Sequence, residues 1–406
     1  MTDTTTSTRV GRPPSERLPV GSLLALGTAV FITALTETLP AGVLPGMSAS
    51  LGASEAAVGQ TVTIYAIATA LTTIPLAILT AKWRRKPLLL VTMALFAVAN
   101  TVTAFSSDYL LTMIARFAAG VAAGLAWAMI AGYARRMVVP SLQGKAIAVV
   151  MTGIPLALGL GVPAGAFLAG LIDWRAAFLA MTVLTLILLL WVLLFVPDQA
   201  GTTRDRSTGV RATLATPGVV AVLVVVLLFV LAHTIGYTYI ATYLHQVGLG
   251  AQVDLVLLAF GLASLVSIWV TGTFIQTHLR ALMIFTTVLV GVASTALALV
   301  FDNHVLIYVA VIVWGLGWGG VPTLTQTAAN DAGGKAADTA QSMLVTLWNL
   351  SMALGGIAGG LILAGLGTLS LPWALPVLLL PTLIVVLASR HGFPRYRAVA
   401  ETEPTD

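Results

Sequence analysis

The sequence predicts an all-helical integral membrane protein, with twelve transmembrane helices in two pseudo-symmetric halves of six. Three observations predict it. Of 406 residues, 58% are hydrophobic and only 9% are charged, whereas soluble domains carry roughly 25% charged residues. The apolar residues gather into runs of about 20, the length that crosses a bilayer. Almost every charge falls between those runs, and the exceptions deep inside them are Glu37 and Arg116. An ionisable group in lipid is costly and usually functional.

Residues 1–19 are rich in Thr, Ser, Arg and Pro, which reads as a short disordered tail. The next apolar run is too long for a signal-peptide core and lacks a small-residue cleavage site, so it is taken as a retained first span. The runs lie near 21–47, 56–81, 87–106, 109–134, 144–169, 175–196, 218–244, 254–276, 281–301, 304–328, 339–366 and 371–389. Of the 20 Lys and Arg residues, all but Arg116 and Arg175 fall in one alternate set of loops and the two tails. The opposite loops hold Glu55, Asp108, Asp173, Asp254 and Asp302. The positive-inside rule makes the basic side cytoplasmic. Both tails are then inside, which requires an even number of spans. Trp174 and Trp373 stand at span ends and read as interface anchors.

The longest loop, 197–217, is polar (GTTRDRSTG) and divides the spans six and six. The expected organisation is a cytoplasmic tail (1–19), an N-terminal half (20–196), a linker (197–217), a C-terminal half (218–390) and a second cytoplasmic tail (391–406). The halves echo each other at an offset of roughly 195–200 residues. The basic loop Lys82 to Lys86 matches His278 to Arg280, and the glycines Gly159, Gly161 and Gly165 match Gly355, Gly356, Gly359 and Gly360. Two six-helix repeats suggest a central site between them that opens alternately to each side.

Composition excludes several chemistries. There are no cysteines, and the five histidines are scattered without metal-ligand spacing, so no metal site is expected. No GxxxxGK[ST] phosphate loop is present, which leaves ATP drive unsupported. No nucleophile, base and orienting group stand out, so no enzyme activity is expected. The net charge of +5 follows from topology and lipid headgroups, and no nucleic-acid partner is expected.

Four stretches carry a family resemblance: TETLPAGVLPGMSASLG (Thr36 to Gly52), LTMIARFAAGVAAG (Leu111 to Gly124), GLGVPAGAFLAG (Gly159 to Gly170) and DWRAAF (Asp173 to Phe178). Across about 20–390 the chain resembles the major facilitator superfamily. It is most similar to the twelve-span drug and sugar efflux branch, with its bacterial arabinose- and chloramphenicol-type exporters. The third stretch resembles that branch's fifth-span antiporter pattern, with Gly161, Pro163 and Gly165 at matching positions. One motif departs. Between spans 2 and 3 the family pattern has Gly, then Asp-Arg, then Gly-Arg-Arg/Lys. Here Ala77 and Ala81 replace the Gly and the Asp, while Lys82, Arg85 and Lys86 remain. The missing Asp removes a cytoplasmic anchor and puts the gating balance in question.

The resemblance implies proton-coupled export of a small organic molecule, lipophilic drugs or antibiotics above all, from a monomer in a bacterial inner membrane. No cofactor beyond the proton gradient is implied; the partners are the substrate, protons and the bilayer. Sugar or metabolite export on the same fold is the alternative, and a non-transporting membrane sensor is the alternative from another class.

Glu37 and Arg116 lie roughly 15 and 11 Å below the outer ends of spans 1 and 4, at 1.5 Å per residue. Two readings of them stay open. In one, Glu37 carries the proton and Arg116 tunes it or contacts substrate, since burial and a nearby cation act on a carboxylate in opposite senses. In the other, the two lock helices together. The small residues Gly159, Gly161 and Gly165, with Pro163, suit close helix packing, and the resemblance implies that they meet span 8 of the other half during gating. Substrate-contact candidates are Tyr65, Trp127, His233, Tyr237, Trp314, Trp318, Gln326 and Asn349. Trp314 and Trp318 stand one helical turn apart on one face. A cavity with many aromatic and few polar groups suits lipophilic or amphipathic molecules.

Overall fold

The computed structural model describes residues 15–201 and 209–394. The expectations for tail residues 1–14 and 395–406 and for linker residues 202–208 lie outside the described residues. Among the described residues, eleven helices are long and apolar enough to cross a bilayer. Ten of these are α1 (Val20–Leu51), α2 (Glu55–Leu79), α3 (Arg85–Phe105), α4 (Tyr109–Arg136), α5 (Gln143–Leu171), α6 (Trp174–Phe195), α7 (Val219–Thr238), α10 (His304–Ala336), α11 (Thr339–Leu366) and α12 (Thr368–Ala388).

The eleventh, Val253–Leu299, is 47 residues long and breaks its helical geometry at His278. Straight, it would extend about 70 Å, more than twice the hydrocarbon thickness. Its two ends instead lie on one face of the bundle. Gln252, just before it, accepts from the Tyr308 hydroxyl at 2.9 Å. The Leu297 carbonyl, near its end, accepts from Tyr243 at 2.7 Å, one turn from Val247, whose carbonyl meets His304 at 3.0 Å. The chain therefore crosses, turns at His278 and returns. It supplies α8 (253–277) and α9 (279–299), which brings the spans to twelve.

Charge and capping explain the two faces of the bundle. On the face opposite the basic loops, Ser54, Asp108 and Asn303 cap α2, α4 and α10 by accepting from Ala57, Leu111 and Leu306 backbone N–H groups. Such caps satisfy donors that a helix start leaves orphaned. On the basic face, Asp198 forms an ion pair with Arg84 at 2.5 Å and accepts from the Lys86 backbone N–H. The Arg85 N–H donates to Gln199, and Tyr133 donates to the Pro197 carbonyl. The start of the linker thus clamps the loop between α2 and α3. Asp198 anchors the loop whose own Asp is replaced by Ala81.

One expectation needs correction. Trp174 is not a lipid-interface anchor: it is 2% exposed and its Nε1 donates to Ser50 at 2.7 Å. Its indole joins α6 to α1 inside the bundle. Trp373, by contrast, is exposed.

The internal repeat is visible atom by atom. Thr69 of α2 donates within reach of the Tyr65 and Gly120 carbonyls, both at 3.0 Å. Ser264 of α8 meets the Phe260 and Gly315 carbonyls at 2.9 and 3.2 Å. Each residue of the second set stands 195 positions after its counterpart in the first. Gly120 and Gly315 both lie where a Cβ would strike a carbonyl of the neighbouring span. Small residues there let the backbones approach closely enough for the hydroxyl bridge.

Candidate functional site

Arg116 of α4 is fully buried. Its Nη1 donates to the Thr36 carbonyl at 2.6 Å, its Nε to Thr61 at 3.3 Å and its Nη2 to the Glu37 backbone carbonyl at 3.4 Å. One guanidinium therefore ties α4 to α1 and α2. It is not paired with the Glu37 carboxylate. A planar fork of five donors suits this task, because helix carbonyls keep a second lone pair free. The Tyr65 ring lies under the guanidinium at 4.8 Å, and its hydroxyl donates to Thr33 at 3.0 Å. Tyr65 is fully buried, so it supports Arg116 and α1 and does not line an open site. Asn100 of α3 donates to the Thr36 hydroxyl at 3.2 Å.

Glu37 stands differently. It is 8% exposed, and no hydrogen bond or ion pair holds its carboxylate among the described residues. The charge of Arg116 acts on it through space. Glu37 is the one carboxylate of the chain that lies away from the ends of a span.

In the other half, four sequence candidates meet in one cluster. His233 stacks flat on Trp318 at 3.4 Å and 6° between planes. Tyr237 stacks on the same histidine at 5.1 Å, and Trp314 meets it edge-on at 5.4 Å. Phe260 of α8, Phe229 of α7 and Trp348 of α11 complete the cluster, and sequence reasoning missed all three. Phe260 and Trp348 are distant in sequence from their partners and no local spacing marks them, whereas Phe229 stands four residues before His233 on one face of α7, a spacing that could have marked it. Three polar atoms in the cluster have no hydrogen-bond partner among the described residues: His233 Nδ1, Tyr237 Oη and Trp314 Nε1. Buried polar groups are normally satisfied, so this cluster has unused hydrogen-bonding capacity beside large π faces.

The remaining candidates scatter. Trp127 is half-buried, Gln326 is exposed, and Asn349 donates to Val345 within its own helix. Pro163 is buried in α5, just after a π-helical turn over Ala157–Gly161, a feature frequent at functional sites. Gly159 packs backbone to backbone on Gly261 of α8, across the two halves. Gly161 and Gly165 face Leu35 and Leu39 of α1 instead. Lys82 is exposed, Arg85 is buried with a bond to Ala81 at 2.9 Å, and Lys86 Nζ donates to the Leu193 carbonyl.

A further junction was not legible. On the face opposite the basic loops, Gln60 Nε2 of α2 donates to the Gly356 carbonyl of α11 at 3.1 Å and lies 3.4 Å from the Tyr239 hydroxyl. That hydroxyl also reaches the Gly356 carbonyl at 3.0 Å. These bonds join the two halves on that face. Gly356 and Gly360 sit against Thr63 and Gln60, while Gly355 and Gly359 sit against Thr234 and Tyr239. In span 11, Gly356 thus faces the N-terminal half, Gly355 and Gly359 face their own half, and Gly360 meets both through Gln60 and Tyr239.

A family model for the Major Facilitator Superfamily matches residues 26–356. The chain belongs to the major facilitator superfamily. The chloramphenicol efflux pump of Mycobacterium tuberculosis is 31% identical over 375 residues, 88% of this chain and 89% of that protein. The purine ribonucleoside efflux pump NepI of Escherichia coli K12 is 26% identical over 369 residues, 90% and 92% of the two chains. Among solved structures, a bacterial homolog of the human lysosomal transporter Spinster, in an inward-facing and unoccupied conformation, superposes with a TM-score of 0.69. That match has 12% identity and covers 93% of this chain and 97% of the other. The human organic anion transporter MFSD10 gives a TM-score of 0.65 at 15% identity, covering 92% and 100%. This major facilitator chain is a multi-pass membrane transporter.

Proposed function

We propose that this transporter exports a small organic molecule carrying a flat conjugated ring, in exchange for protons, with Glu37 as the proton carrier. One observation carries the reading. Glu37 is a buried carboxylate free of hydrogen bonds and ion pairs among the described residues, beside an arginine whose donors are committed to helix carbonyls. A structural carboxylate would be paired; one held for protons and substrate is not.

The positive-inside rule puts the basic face in the cytoplasm. The Gln60–Tyr239–Gly356 junction then closes the outer side. Substrate enters from the cytoplasm while Glu37 is deprotonated, and the halves rock to open outward. Protonation from outside releases the substrate, and return to the inward state delivers the proton to the cytoplasm. The aromatic cluster around His233 supports the choice of substrate, since flat rings gain from stacked and edge-on contact. The two efflux relatives carry the names of chloramphenicol and purine ribonucleosides, molecules that both combine a flat ring with hydroxyl groups.

The test uses purified protein in proteoliposomes under an imposed pH gradient, with labelled chloramphenicol and inosine as probes. Wild type is expected to accumulate at least one probe against its gradient. Glu37→Gln is expected to keep downhill exchange and to lose accumulation. Full gradient-driven accumulation by that variant would defeat the assignment of Glu37.

A further inference from the structure

Pro40 lies inside α1, three residues after Glu37. Proline has no backbone N–H, and its ring pushes against the carbonyl four residues earlier. In α1 that carbonyl belongs to Thr36, which is therefore left without its helical donor. Arg116 Nη1 reaches this same carbonyl at 2.6 Å, the shortest of the three bonds that the guanidinium makes to main-chain carbonyls. A buried acceptor without a partner is costly, so the arginine fills a gap that the proline makes. Asn100 of α3 holds the hydroxyl of the same threonine at 3.2 Å.

Pro45 offers an internal comparison. It lies in the same helix and deprives the Ala41 carbonyl in the same way. The donors of Arg116 go to Thr36, Thr61 and Glu37, so Ala41 gains nothing from them. Charge alone does not account for the bond at Thr36. A guanidinium beside a carboxylate ordinarily turns its fork to it, yet the Glu37 carboxylate is free of hydrogen bonds and ion pairs among the described residues. Arg116 Nη2 is nevertheless 3.4 Å from the Glu37 backbone carbonyl, so the guanidinium stands at the level of that residue. The charged and titratable groups that face Glu37 are Arg116 of α4 and Tyr65 of α2. From α3 comes the neutral amide of Asn100.

We propose that Pro40 is a positioning residue for proton exchange at Glu37. By freeing the Thr36 carbonyl, it holds the Arg116 guanidinium on the main chain of α1, beside the Glu37 carboxylate and not on it. An ion pair would favour the ionised carboxylate and make the proton harder to load. With its shortest bond directed at Thr36, the arginine keeps its charge near without capturing the carboxylate. Restoring an N–H at position 40 lets the helix close on Thr36 and releases that donor toward Glu37. The consequence for transport rests on Glu37 as the proton carrier; the effect of Pro40 on the carboxylate does not.

The test uses the full chain in proteoliposomes, with infrared spectra recorded across a pH series. The Glu37 band is the protonated-carboxyl C=O stretch that Glu37→Gln removes. Pro40→Ala and Pro40→Ser each restore an N–H. Each is expected to move the midpoint of this band at least about one pH unit lower, the smaller end of what a close cation does to a carboxylate. That is about a tenfold loss of proton affinity. Pro45→Ala restores an N–H to a carbonyl that Arg116 does not touch, and it is expected to leave the midpoint in place. The pH of half-maximal gradient-driven uptake of chloramphenicol or inosine is expected to fall with the band. An unmoved midpoint in both Pro40 variants, which a merely structural role of the ring predicts, would overturn the proposal. So would a rise, or an equal fall in Pro45→Ala. A band that falls while uptake keeps its pH profile would uphold the role of Pro40 and sink that of Glu37 as the carrier. Absence of any band that Glu37→Gln removes would overturn both.

Discussion

In the N-terminal half, α2 and α4 are joined by Thr69 and Gly120; in the C-terminal half, α8 and α10 are joined by Ser264 and Gly315 through the same carbonyl contacts. The side chains one turn away have diverged. Arg116 stands where the second half has Val311, and Ala119 and Ala123 stand where it has Trp314 and Trp318. Tyr65, under the guanidinium, corresponds to Phe260, beside His233. One packing scheme therefore holds a charged centre in one half and an aromatic centre in the other. The backbone contacts fix the scaffold, and the residues at those matched positions set what each half can recognise.

The comparison predicts its largest asymmetry at position 116. Arg116→Ala removes the donors that tie three helices and leaves a cavity, at a cost of about 3–5 kcal/mol. Val311→Ala, at the matched site, removes two methyl groups and should cost about 2 kcal/mol. Denaturant unfolding in detergent measures both. Arg116→Lys should recover little, because one ammonium cannot reproduce a planar fork reaching carbonyls on two helices. Equal costs at 116 and 311 would mean that Arg116 is kept for transport chemistry and not for packing.

Trp318→Ala removes the face on which His233 stacks and should cost about 3 kcal/mol. It should also weaken binding of ring-bearing substrates, measured by equilibrium binding to the detergent-solubilised protein. Ala123→Trp, the converse change, places an indole in a close-packed part of the N-terminal half. It should destabilise by about 1–3 kcal/mol through overpacking and create no aromatic site, because no histidine faces it.

The matched glycines should behave alike. Gly120→Ala and Gly315→Ala each drive a methyl group into a carbonyl of the neighbouring span, at about 1–3 kcal/mol apiece. A large difference between them would show that one half accommodates strain that the other cannot.

How far the sequence reached follows the same division. The span count and the repeat were legible because hydropathy and charge alternate along the chain. Glu37 and Arg116 were legible as charges within apolar runs. The bonds of Arg116 were not, because its partners are main-chain carbonyls with no sequence signature. Trp314 and Trp318 showed as a pair four residues apart, and Phe229 stood at the same spacing from His233, but Phe260 and Trp348 reach the cluster from other helices. Asp198 carried a readable signal, an acidic residue among basic loops. Gln60 and Tyr239 carried none, since a lone amide and a lone phenol look the same whether they join two halves or only their own helix. The π-helical turn in α5 was hidden as well, since Pro155 and Pro163 mark a bend and not its kind.

The smallest predicted effect bears most directly on the pairing of the halves. Thr69→Val and Ser264→Ala each delete one hydroxyl bridge and little volume, so each should cost about 1 kcal/mol. The bridges lie in different halves with no shared partner, and independent sites normally add to within about 0.5 kcal/mol. The double variant then separates two views of the fold. A sum equal to the two single costs means that each bridge stabilises its own half and that the halves respond separately. A double cost well above the sum means that loosening α2 against α4 is felt at α8 and α10. Among the described residues the route between them is the contact of the two halves, which includes Gly159 on Gly261 and Gln60 on Gly356. In that case Gln60→Ala, which weakens the second of these links, should bring the double cost closer to the sum.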